Sequence, residues 1–255
     1  MQVLALYNVK GGVGKTASAV NLAYCSTLTG ARSLVWDLDP QGASSFYFRV
    51  KTEASQGGRK LEKKKQLRLR VRATDFEGLD VVPADFSYRH LDLALEAAGG
   101  SGRLRSLVKP FRHDYEYLFL DCPPSISLTS ESVFAVADAL VVPTIPTPLA
   151  LRTLEQLAGH LAALDVEPRL LPFFCMVDRR KRLHREICEP TRSRFPMLST
   201  HIPYSSHVEQ MGLYRQPVSL YAPRSTGASS YKALWDEIVA RLAGGGQALA
   251  RDLHC

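Results

Sequence analysis

Lys10-Gly11-Gly12-Val13-Gly14-Lys15-Thr16 has the residue types needed to hold a chain of phosphates. Glycines at 11, 12 and 14 let the backbone curl so that successive N–H groups point inward and form an anion nest. A helix that opens directly behind the loop adds partial positive charge at the same point. The Lys15 ammonium can neutralise terminal phosphates, and the Thr16 hydroxyl can ligate Mg²⁺. Ala17, the next residue, belongs to the same nucleotide-contacting stretch. Two acidic segments could serve this loop. Asp37-Leu38-Asp39-Pro40-Gln41 carries carboxylates at i and i+2, which point to one side of an extended chain. Either could work on a metal or a water, or simply cap the next helix. Tyr117 to Leu120 is an apolar run that ends in a further acid, Asp121, followed by Cys122-Pro123-Pro124.

These groups must be positioned by the elements around them. Short apolar runs at Val3 to Tyr7, Ser33 to Trp36, Leu79 to Val82, Tyr117 to Leu120, Ala139 to Val142 and Leu170 to Met176 predict strands. Helical patterns lie between them: Lys15 to Thr29, then about 88–98, 128–137, 149–164, 184–194 and 227–242. Wholly apolar strands alternating with helices predict an α/β fold, a single domain with a mostly parallel twisted sheet and helices on both faces; the glycine-lysine loop between the first strand and helix makes it resemble a P-loop NTPase. Ligands then sit at the carboxyl ends of the strands. We expect this domain to span 1–243, with 48–77 a basic excursion and 244–255 a flexible tail. The chain has 255 residues, 45% hydrophobic and 22% charged, which is ordinary for a globular domain. Its five scattered cysteines form no CxxC pair, so a disulfide framework or zinc site is not expected. Neither a signal peptide nor an apolar span of membrane length is visible, which points to the cytoplasm.

Lys10 is more than a phosphate loop needs. With it the loop resembles the deviant Walker A motif, KGGxGK[ST], of the ParA/MinD family of positioning ATPases. In that family the extra lysine reaches the ATP of a second subunit, so the resemblance implies a homodimer enclosing two Mg·ATP. It also implies that Asp39, the later acid of DxDPQ, activates the attacking water, while Asp37 supports the magnesium region. Asp121 matches the Walker B acid that holds Mg²⁺ through a water, and Pro123-Pro124 match the family's hhhDxPP. Further matches run along the chain: Leu79 to Pro83, Val141 to Thr144, Phe174 to Arg179, His201 to Pro203, Gln216 to Val218 and Arg224 to Tyr231. They imply adenine contacts at Asp178 and Pro203.

The net charge of +7 favours a polyanionic partner. Basic residues cluster at 59–72 and at Arg179, Arg180, Lys181, Arg182 and Arg185. Either run could be a solvated face; either could grip DNA phosphates without reading bases. Arg224 and Lys232 match positions where family members carry DNA contacts. Tyr204-Ser205-Ser206-His207 lacks the arginines that DNA-binding members carry there. The phosphate loop begins too near Met1 for a preceding helix-turn-helix, so operator binding is not expected. The resemblance therefore implies a nucleoid-associated ATPase that binds DNA non-specifically and is stimulated by a ParB-like or cargo-adaptor protein. Two rivals stand beside it. A MinD-type membrane regulator would need a basic amphipathic anchor, and residues 244–255 are too short and too weakly apolar to provide one. An ATP-dependent metabolic relative is the other; an amide synthase of that kind would need a glutaminase domain for which there is no length.

Overall fold

The computed structural model describes residues 1–52, 64–97, 102–164 and 166–244. Among the described residues seven strands form one sheet in the order β3-β4-β2-β5-β1-β6-β7. They are β1 (Gln2–Leu6), β2 (Ser33–Asp37), β3 (Arg72–Ala73), β4 (Leu79–Val82), β5 (Tyr117–Asp121), β6 (Ala139–Thr144) and β7 (Arg169–Phe174). All pairs are parallel except β3 with β4. The helices are α1 (Lys15–Thr27), α2 (Ala43–Tyr47), α3 (Lys64–Leu69), α4 (Leu91–Ala97), α5 (Gly102–Val108), α6 (Leu128–Val136), α7 (Pro148–Ala163), α8 (Arg182–Arg194), α9 (Ser206–Glu209), α10 (Met211–Tyr214), α11 (Val218–Tyr221) and α12 (Thr226–Ala243).

Alternation along each strand feeds two cores. Val3, Ala5 and Tyr7 join one layer with residues of α5, α6 and α7, while Leu4 and Leu6 join the other with α1 and α12. Tyr231, Leu234, Trp235 and Ile238 recur at helical spacing and bring α12 against the sheet, each almost wholly buried. Burying each such side chain contributes about 1.5–3 kcal/mol. This face of α12 is thus a core face.

The strands and long helices lie where the sequence predicts them, within two residues at most ends. The 48–77 region differs. Its described part, from residue 64, folds as α3 and the edge strand β3. Leu67 is buried, and Arg70 pairs with the buried Asp85 at 3.2 Å and donates to the Pro83 carbonyl. Arg68 pairs with Asp114 at 2.6 Å and donates to the Pro110 carbonyl. Arg68 and Arg70 are therefore clasps that seat this segment on the body. Arg72 donates to the carbonyls of Leu69 at 2.7 Å and Val71 at 3.2 Å. Arg59, Lys60 and Lys63 lie outside the described residues, as does the tail from residue 245.

Candidate functional site: a phosphate loop facing two buried carboxylates

The sheet order decides which chemistry meets. β5 lies between β1 and β2, so three strands carry the loop and both acidic segments to one edge. In the parallel register Asp121 partners Leu6 on one side and Asp37 on the other. Neighbouring strands are about 4.8 Å apart, so the two carboxylates stand side by side at the base of the loop.

The loop leaves β1 at Tyr7 and enters α1 at Lys15. Gly12 and Gly14 take φ of 71° and 94°, the left-handed region that glycine enters without cost. A Cβ on Gly14 would meet the Cys175 sulfur at 2.9 Å, so size and conformation both demand glycine here. Asn8 ties the loop to β6: its Nδ2 donates to the Pro143 carbonyl at 2.9 Å, and its Oδ1 accepts the Lys10 N–H at 2.9 Å. Lys15 is 7% exposed and donates Nζ to the Lys10 carbonyl at 2.9 Å. Burial pulls its pKa down, and Asp121 is the strongest influence opposing that shift. The Lys10 side chain is half-exposed at the rim, and its ammonium has no partner among the described residues.

Asp37 and Asp121 are fully buried. Ser45 gives Asp37 Oδ2 two hydrogen bonds, from its N–H at 2.9 Å and its hydroxyl at 2.7 Å. The Ser44 hydroxyl donates to Asp121 Oδ2 at 2.6 Å. Burial raises both carboxyls above the ordinary carboxylate range; for Asp37 the charge of Asp121 is the next cause. The remaining oxygens, Asp37 Oδ1 and Asp121 Oδ1, are buried without a hydrogen-bond partner. Thr16 lies beside Asp121. Two orphaned carboxylate oxygens facing a lysine and a threonine hydroxyl fit a hydrated divalent cation, which would relieve the cost of leaving them unpaired. Asp39 is different: it is half-exposed, and its Oδ1 accepts the Gln41 N–H at 2.9 Å. It is positioned at the mouth, beyond the buried pair.

The second cluster follows β7. Val177 bridges Pro203 in parallel, so Asp178 and Pro203, expected to meet the base, lie on adjoining segments. Asp178 is not free: Arg180 donates Nε to Oδ1 at 2.9 Å and Nη2 to Oδ2 at 3.0 Å. That guanidinium holds the Asp178 carboxyl at about 2. Arg179, Arg180, Lys181, Arg182 and Arg185 are exposed. Arg182 pairs with Glu186 at 2.5 Å, and Arg185 donates to the Arg179 carbonyl. Arg224 is exposed beside the start of α12, and Lys232 pairs with Asp236 at 2.8 Å. The carboxyl end of α12 meets Arg169, where β7 begins, so its amino end and Arg224 lie at the phosphate-loop edge.

Sequence reasoning missed Ser44, Ser45 and Asn8. Two serines after DxDPQ-Gly42-Ala43 are the signal for the first pair; nothing local marks Asn8.

A family profile described as an AAA domain matches residues 1–169. The sporulation initiation inhibitor protein Soj of Bacillus subtilis is 32% identical over 252 residues, which cover 94% of this chain and 98% of Soj. The chromosome partitioning protein ParA of Caulobacter vibrioides is 31% identical over 257 residues, covering 94% and 95%. A Cyanothece McdA variant solved with ATP has a TM-score of 0.81 at 19% identity, covering 94% of this chain and 96% of that one. Cobyrinic acid a,c-diamide synthase from Mycobacterium smegmatis, solved with ADP and magnesium, has a TM-score of 0.77 at 22% identity, covering 97% and 98%. Both structures share the fold.

Proposed function

The chain belongs to the ParA/MinD family of P-loop ATPases, and from that premise we propose that it is a ParA-type positioning ATPase. It binds ATP at the loop from Lys10 to Ala17 and pairs with a second copy across the bound nucleotides. The pair holds DNA without reading its sequence, and hydrolysis resets it when a ParB-like or cargo-adaptor protein stimulates the reaction. The observation that carries this reading is the rim lysine. Lys15 is buried and braced inside the loop, whereas the Lys10 side chain is half-exposed and its ammonium has no partner among the described residues, leaving it able to meet a phosphate outside its own site.

The chain's residues divide the work. Loop N–H groups and Lys15 bind the phosphates. Thr16, Asp37 and Asp121 would hold Mg²⁺, which when bound would offset charge on the β- and γ-phosphates. Asp39, at the mouth, orients the attacking water and takes its proton. Asp178 and Pro203 lie beside the base. Arg179, Arg180, Lys181, Arg182, Arg185, Arg224 and Lys232 contact DNA phosphates, and pairing two such surfaces raises avidity. On this reading the protein works on the nucleoid. Among the described residues no helix is long and apolar enough to cross a membrane.

Co-sedimentation with DNA in ATP and in ADP, at low and high salt, tests the reading. DNA retention only with ATP, lost in high salt, supports it. Equal retention in both nucleotides contradicts it.

A further inference from the structure

Ser44 and Ser45 are both fully buried, yet neither is needed to fill a core. Consecutive helical residues point about 100° apart, so the two hydroxyls address different strands. Ser44 reaches the end of β5 at Asp121, and Ser45 reaches the end of β2 at Asp37. Each binds Oδ2 and leaves Oδ1 bare. Ser45 is itself fixed, because its oxygen accepts the Ala84 N–H at 2.9 Å, which directs its proton to Asp37.

α2 has only five residues and is anchored from its other end. Arg215 donates Nε to the Phe46 carbonyl at 3.0 Å, and Arg49 donates to the carbonyls of Tyr214 at 3.0 Å and Arg215 at 3.1 Å. Arg49 and Arg215 adopt left-handed backbone, with φ of 60° and 51° respectively, which non-glycine residues enter only where surrounding contacts hold them. The serine pair is thus mounted on a braced support.

We infer that Ser44 and Ser45 are positioning residues for the metal: they pin one oxygen of each acid so that the two free oxygens face a single Mg²⁺ and its waters. This rests on the ATPase reading above and deepens it. Hydrogen bonds to ligating carboxylates fix their orientation, and removing such a bond typically weakens metal affinity 10–100-fold. Ser44 is the cleaner probe, since its hydroxyl serves Asp121 whereas that of Ser45 also satisfies Ala84.

The test is Mn²⁺ binding followed by electron paramagnetic resonance in the presence of ADP, for the wild type, Ser44→Ala and Ser44→Cys. The cysteine keeps the shape but is a weak donor. ADP affinity in EDTA and the melting temperature are measured alongside. We expect both variants to bind Mn²⁺ about tenfold more weakly, with metal-free ADP affinity unchanged. Wild-type Mn²⁺ affinity in both variants would overturn the inference alone. So would equal losses of Mn²⁺ and metal-free ADP binding, the mark of a merely structural role. A wild-type chain without ADP-dependent Mn²⁺ binding would overturn the ATPase reading and this inference with it.

Discussion

Lys15 donates its ammonium to the main-chain carbonyl of Lys10 at 2.9 Å, so the group that would neutralise phosphate also braces the loop. Arriving phosphates compete for that ammonium with a single neutral acceptor. Charge-assisted bonds are the stronger kind, at about 1.5–3 kcal/mol each. Lys15→Ala should weaken ATP binding about 100-fold, the equivalent of about 2.7 kcal/mol, by titration calorimetry. Unchanged affinity would remove Lys15 from the phosphate site.

The Asp39 carboxylate accepts the Gln41 N–H and is half-exposed, unlike the buried Asp37 and Asp121. Asp39→Ala should therefore leave ATP and Mg²⁺ binding intact. Hydrolysis should fall by about 10²–10⁴-fold, the usual contribution of a general base. With ATP the variant should stay on DNA after the wild type has been released. Phosphate release at the wild-type rate would show that another group handles the water.

Burial, and then the charge of Asp121, raises the Asp37 carboxyl. Its pKa is thus higher in the folded than in the unfolded chain, where an aspartate titrates near about 3.9. The folded state holds its proton longer. The stabilising contribution is complete below the unfolded pKa and is lost as pH rises through the folded one. Asp37→Asn cannot lose this proton. Without metal, the melting temperature of Asp37→Asn relative to wild type should climb between pH 5 and pH 8, and saturating Mg²⁺ with ADP should cancel the trend. A constant difference across that range would contradict a strained acid pair.

Arg180 is bound to Asp178, and Arg182 to Glu186, but both pairs are exposed and can exchange for phosphate. Replacing Arg179, Arg180 and Arg182 by Glu should abolish DNA retention with ATP while ATP affinity changes less than about threefold. It should also remove most of the salt dependence, which scales with the number of phosphate contacts. Full retention would move the DNA surface elsewhere.

The phosphate loop, Asp37 and Asp121 were legible because each sits in a contiguous motif directly after an apolar strand. Their meeting was not, since it depends on β5 inserting between β1 and β2. Ser44 and Ser45 were missed because buried serines look like loop serines until their acceptors are known. Arg70 read as part of a charge run, yet its partner Asp85 lies fifteen residues on and inside the fold. Arg180 likewise read as part of a basic cluster, though the carboxylate two residues before it takes both arms of its guanidinium. α2 and α9 to α11 span only four or five residues each, too short for a helical period to register.

Sedimentation velocity of the wild type and of Lys10→Ala, each with saturating Mg·ATP, tests the central claim most directly. The wild type should sediment as a dimer, and Lys10→Ala as a monomer that still binds ATP. A wild type that stays monomeric, or a Lys10→Ala variant that dimerises normally, would contradict the account.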